Sequence, residues 1–237
     1  MPESILVLLL ALGAGASMPV GALFARFDQL HPAWLGSEWR HFIVAFGGGA
    51  LISAIALVLV PDGVAKLSTP AAGLCFAAGG VTFFLLDIAL NRLQSAAGQL
   101  VAMLSDFIPE AIALGAAFAA GENTGLLLAF LITLQNLPEG FNAFEELARS
   151  GKLAQGTIIT AFCAMALLGP AAGLAGYFWL GQYPTVMGAL MLFASGGILY
   201  LVFDDIAPQA KLENTWMPAL GAVAGFLLGL IGSMLAG

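Results

Sequence analysis

The chain predicts an all-α integral membrane protein with eight transmembrane helices. Three observations carry this: eight apolar stretches of span length, a charge content too low for a water-facing surface, and acids placed inside the apolar stretches. Sixty per cent of the 237 residues are apolar and nine per cent are charged, where a soluble domain has about a quarter of its residues charged. No linker or polar block divides the chain, so residues 1–237 read as one transmembrane domain. The net charge of −7 has little solvated surface to occupy, and no basic patch calls for nucleic acid.

The first stretch, roughly 4–26, follows Met-Pro-Glu-Ser, which lacks the basic n-region of a cleaved leader. It runs past Met18, longer than an h-region, and is expected to remain as the first span. Seven more follow at roughly 41–61, 71–91, 99–121, 125–147, 156–180, 184–207 and 216–236, each near the ~20 residues a span requires. The breaks carry turn chemistry, as in Gly-Glu-Asn-Thr-Gly at 121–125 and Gly-Gln-Tyr-Pro at 181–184.

Arg26, Arg40, Arg92, Arg149, Lys152 and Lys211 fall in or beside odd-numbered loops, and Lys66 alone in an even one. The positive-inside rule then places the odd loops in the cytoplasm and both termini outside, in a multi-pass protein of the cell (inner or plasma) membrane. Tyr177, Trp179 and Tyr183 suit the outer interface, and Trp34, Trp39 and Trp216 the inner one. Gly169–Gly173 and Gly225–Gly229 predict close helix contacts. Cys75 and Cys163 lie deep in apolar runs and are expected to be small core residues.

The chemistry lies in the fourth and fifth spans. The fourth reads Ser-Asp-Phe-Ile-Pro-Glu-Ala from Ser105, and the fifth Leu-Gln-Asn-Leu-Pro-Glu-Gly from Leu134. Superimposed on their Pro-Glu pairs, Asp106 matches Gln135 and Glu110 matches Glu139. The midpoint between the two glutamates falls in the turn at 124–125, so antiparallel helices are expected to carry both to the same depth, near the bilayer midplane. Asp106 and Glu110 share a face at i, i+4, while Gln135, Glu139 and Asn142 form a stripe with Asn136 beside it. Pro109 and Pro138 remove one backbone hydrogen bond each and are expected to break the helices at the polar groups. Two proline-interrupted polar spans at matching depth point to a transporter site.

No Lys, Arg or His occupies the central part of any span, so Asp106, Glu110 and Glu139 need protons or a bound cation. Hard oxygen donors without thiolate or imidazole suit Zn, Mn, Fe(II), Mg or Ca. Secondary acids outline a candidate pathway: Asp204 and Asp205 at the inner end of the seventh span, Glu146 continuing the Asn142 stripe, and Asp62 at the outer end of the second. Asp87 and Asn91 suit a solvated helix end, and no metal role is expected of His31 or His41.

The paired Pro-Glu segments, the eight spans and Asp-Asp-x-x-Pro at 204–208 resemble the ZIP family of divalent metal transporters. Gln135, Asn136, Pro138, Glu139 and Gly140 match the family's fifth-span motif. In the fourth, Pro109 and Glu110 match, with Asp106 in place of His, Phe107 in place of Asn and Ala111 in place of Gly. The resemblance implies a 3+2+3 helix arrangement, a homodimer and elevator-like movement. It implies a primary site of Asp106, Glu110, Gln135 and Glu139 for transported Zn, alternatively Mn, Fe or Cd, and no catalytic cofactor. Asn136 would belong to an adjacent second site, with Asp204, where Phe107 cannot ligate. The rivals are a proton- or Na⁺-coupled carrier of an organic solute, which wants an aromatic or basic partner near the acids, and an intramembrane enzyme. Asp204-Asp205 lacks the third acid of a diphosphate-binding Asp-Asp-x-x-Asp, so no enzymatic activity is expected.

Overall fold

A computed structural model of the chain describes residues 2–30, 36–93, 96–121 and 124–236. His31, Trp34, the turn tip at 122–123 and the side chains of Asn91 and Arg92 lie outside the described residues. The described chain is all helical: α1 (Glu3–Leu30), α2 (Ser37–Ala65), α3 (Thr69–Leu93), α4 (Ala96–Ala119), α5 (Thr124–Ser150), α6 (Gln155–Leu180), α7 (Pro184–Ala210) and α8 (Met217–Ala236). Seven of these are long and apolar enough to cross a membrane, which makes this a multi-pass membrane protein. The exception is α5, whose 27 residues are long enough but carry the polar stripe from Gln135 to Glu146.

The helices form two groups of four. In one, α1 packs along α5 and α6, and α4 packs against α5 and α6; in the other, α2 packs along α8, and α3 along α7. The pattern has two-fold character. The α1–α5 pairing is matched by α6–α4, α2–α8 by α7–α3, and the main joins between groups are α2 on α5 and α7 on α4, flanked by lighter contacts of α8 on α5 and α3 on α4. The α4–α5 hairpin therefore sits at the centre of the molecule, with α2 and α7 facing it from the other group.

Close approach is achieved with small residues. A Cβ on Gly140 would lie 2.2 Å from the Met18 carbonyl of α1, and one on Gly225 of α8 would lie 2.0 Å from the Phe46 carbonyl of α2. Such contacts bring backbones together where apolar burial alone gives no preference between helix and lipid. The same reasoning corrects the cysteines. Cys75 is half-buried and Cys163 exposed, because a run that faces lipid is as apolar as one that faces the core.

The facing helices α2 and α7 share a second feature. Each contains a π-helical turn, Ile55–Leu59 in α2 and Val202–Ile206 in α7, followed two residues later by Pro61 and Pro208. Neither proline can donate to the carbonyl four residues back, which belongs to Leu57 or Asp204, inside the π turn. A wider turn, with Val60 N–H reaching the Ile55 carbonyl and Ala207 N–H the Val202 carbonyl, absorbs the defect. By contrast α4 and α5 run unbroken through Pro109 and Pro138. The expected break is confined there to a missing N–H donor, because the flanking turns are held by packing on both sides.

Candidate metal centre

The register of the α4–α5 hairpin is fixed by two contacts. Gln135 Nε2 donates to both carboxylate oxygens of Glu110 at 2.6 Å, and Gln99 Nε2 donates to Glu146 Oε2 at 2.5 Å. Both pairs centre on the same point of the turn, and the same register sets Asp106 opposite Glu139. The two glutamates are therefore not level, although the sequence predicts the same depth for both. Glu139 stands four residues, about 6 Å, farther from the turn than its partner. The midpoint reasoning placed the hairpin's centre two residues too late.

Asp106, Glu110 and Gln135 are buried, while Glu139 is half-buried. Asp106, Gln135, Pro138, Glu139 and Asn142 line a cavity of about 70 Å³ between the two helix groups. Gly47 and Leu51 of α2 and Ile198 and Asp205 of α7 close its other side, and no aromatic or basic side chain lines it. At the ~30 Å³ that a water occupies in the liquid, it has room for roughly two waters. The carboxylates of Asp106, Glu110 and Glu139 lie within electrostatic reach of one another, and Glu139 is also within reach of Asp205.

Two buried oxygens on this wall, Asp106 Oδ1 and Gln135 Oε1, have no hydrogen-bond donor among the described residues. Buried acceptors are rarely left bare, and each costs about 1–3 kcal/mol. Their chemistry fits a hard cation. Among the described residues no three Asp, Glu, His or Cys side chains converge tightly enough to chelate an ion. Glu139 stands a turn away from Glu110, and both Glu110 oxygens are engaged by the Gln135 amide, so capture by this set requires that amide to release them.

The remaining candidates separate. Asn136, fully buried, faces α1 and donates from Nδ2 to the Ala14 carbonyl at 3.0 Å, leaving its own Oδ1 without a donor. It does not line the cavity. Phe107 is also buried, its ring against Gly15 of α1 and Gly169 of α6. Asp204 and Asp205 are both exposed; Asp204 lines neither the cavity nor the space below it, whereas Asp205 reaches the cavity's edge and lines it. Asp62 lies eleven residues along α2 from Leu51, about 16 Å from the cavity wall.

Glu146 lines a vestibule of about 870 Å³ with Arg40, His41, Glu145, Arg149 and Gln209. It opens at the end of the bundle that carries Arg26, Arg149, Lys152 and Lys211. An ion pair spans the two groups there, Arg40 to the fully buried Asp28 at 2.7 Å. Gln99 and Gln209 were not singled out in the sequence. Gln99 lies seven residues before Asp106 and Gln209 four after Asp205, so helical spacing from the acids was the signal that could have found them. No protein-family model matches the chain, and no curated protein matches it in sequence.

Proposed function

We propose that this protein carries a divalent metal cation across the membrane through Asp106, Glu110, Gln135 and Glu139, as the resemblance to ZIP transporters implies. The observation that carries the reading is the donor set. Three carboxylates and two donorless oxygens lie in or beside a small cavity inside a membrane domain, with no cationic partner among the described residues. A cation that draws these groups together on binding would satisfy them. On binding, Gln135 turns Oε1 to the ion and frees Glu110, and Glu139 approaches from the opposite helix. The organic-solute alternative loses support, because the cavity has room for a partly hydrated ion and offers nothing to hold a larger solute.

By the positive-inside rule the vestibule faces the cytoplasm, so this arrangement is open inward and both termini are outside. Crossing of the membrane by α5 completes eight spans. The two helix groups, which meet mainly at α2–α5 and α7–α4, suit movement of one group past the other, in a homodimer as the resemblance implies. The test is thermal unfolding of the purified protein with Zn, Mn, Fe(II), Cd or Mg. Stabilisation that saturates with one or more of these ions, and is lost in Glu110→Ala, supports the reading. A melting temperature indifferent to all five counts against it.

A further inference from the structure

The cavity and the vestibule have only two lining residues in common, Val44 and Asn142. Asn142 Nδ2 donates to Gln209 Oε1, and Gln209 Nε2 donates to Asp205 Oδ1. Asp205 lines the cavity and Gln209 the vestibule, so this chain of polar groups lies on the boundary between them. Asn142 belongs to α5, whereas Asp205 and Gln209 belong to α7, in the other helix group. Gln209 follows the π turn and Pro208, in the four-residue segment Ala207–Ala210 that ends α7.

We infer that Asn142 and Gln209 form a two-carboxamide gate between the cation cavity and the vestibule, anchored by Asp205 and backed on its apolar side by Val44. The cargo it passes rests on the metal-transport reading; the gate itself rests on the boundary geometry. Carboxamides suit the task because each is both donor and acceptor. Closed, one N–H of each is spent on a neighbouring oxygen, and the bridge ties α5 to α7. Open, the amide oxygens of Asn142 and Gln209 and the Asp205 carboxylate are three hard donors that replace part of a departing cation's hydration. The cation competes for the oxygens that hold the gate shut, so its passage and the opening are coupled.

The experiment uses the full chain with Cys75 and Cys163 replaced by Ser and a reporter thiol, Ala143→Cys, on the buried cavity wall. The rate at which a small cationic methanethiosulfonate modifies that thiol reports access from the vestibule. Gln209→Ala and Asn142→Ala should each speed modification about tenfold, as expected for loss of one to two hydrogen bonds. The double variant should be no faster than either single, since both remove the same bridge. Gln209→Asn, one methylene shorter, should resemble Gln209→Ala and covers the case in which the alanine variant misfolds. Unchanged rates, or independent effects that multiply, overturn the gate. Release of bound Mn²⁺ followed by stopped flow separates the two ideas. Altered thiol access in a protein that binds no Mn²⁺ keeps the gate and removes the metal cargo. Mn²⁺ binding with unaltered access does the reverse.

Discussion

Glu110 rests both carboxylate oxygens on a single amide nitrogen, that of Gln135, in a buried place with no cationic partner among the described residues. The arrangement holds a carboxylate in reserve: the partner that satisfies it carries a second, unused oxygen 25 residues away in sequence. Metal binding to such a set displaces protons, because protons and cation compete for the same oxygens, and binding weakens as pH falls. The titrations are shared among three carboxyl groups and belong to the set. Calorimetry in buffers of different ionisation enthalpy should count at least one proton released per metal in wild type and fewer in Glu110→Gln; a count of zero from pH 6 to 8 contradicts this. At the neighbouring position Asp106→His should raise the Zn/Mn uptake ratio, since imidazole suits Zn better than the harder ion. An unchanged ratio would place Asp106 outside the coordination shell. These residue types were legible in the sequence, because a carboxylate in an apolar run is conspicuous. The sides they face were only partly so: Asn136 neighbours the stripe yet turns to α1, and that depends on how α1 packs.

At the scale of elements, the hairpin owes its place to glycines rather than to apolar area. Gly140 follows Glu139 directly and lets α5 touch the α1 backbone, so its substitution acts on the site's own helix. Gly140→Ala should destabilise the protein by about 1–3 kcal/mol, the range for overpacking a tight contact. Gly156, in the first turn of α6, has open space around it, and Gly156→Ala should leave the melting temperature unchanged or raise it. Equal effects of the two would mean that α1 and α5 are less closely fitted than the structure shows. The helices and their boundaries were readable because span length and turn chemistry are local properties. The hairpin register was not, since it depends on which side chains meet across the turn. The proline effects diverged for the same kind of reason: Pro61 and Pro208 widen a turn, while Pro109 and Pro138 do not. Packing around each proline, which the sequence does not display, decides between the two outcomes.

The whole molecule is two four-helix groups with the Asp106–Glu139 cavity on the seam between them. Across that seam at the vestibule end runs the Arg40–Asp28 ion pair, whose two halves are unequally placed. Asp28 is fully buried, whereas Arg40 retains access to water. Arg40→Ala should therefore cost about 3–5 kcal/mol by leaving a buried carboxylate without its countercharge. Asp28→Ala should cost less, and the double variant should recover much of the loss. Thermal unfolding of the three variants measures this, and equal losses in both singles would contradict it. The two-fold packing pattern was hinted at by the matching Pro-Glu segments, but the grouping of α1 with α4, α5 and α6 emerges only from tertiary contacts.

If a divalent cation crosses at Asp106, Glu110, Gln135 and Glu139, removal of either glutamate stops it. Uptake of Zn, Mn, Fe(II), Cd and Mg into vesicles reconstituted with wild type, Glu110→Ala or Glu139→Ala measures this. The expected result is protein-dependent uptake of at least one of these ions by wild type and none above empty vesicles by either variant, with all three proteins equally folded and incorporated. Near-normal uptake by either variant, or no uptake of any of the five ions by wild type, would contradict it.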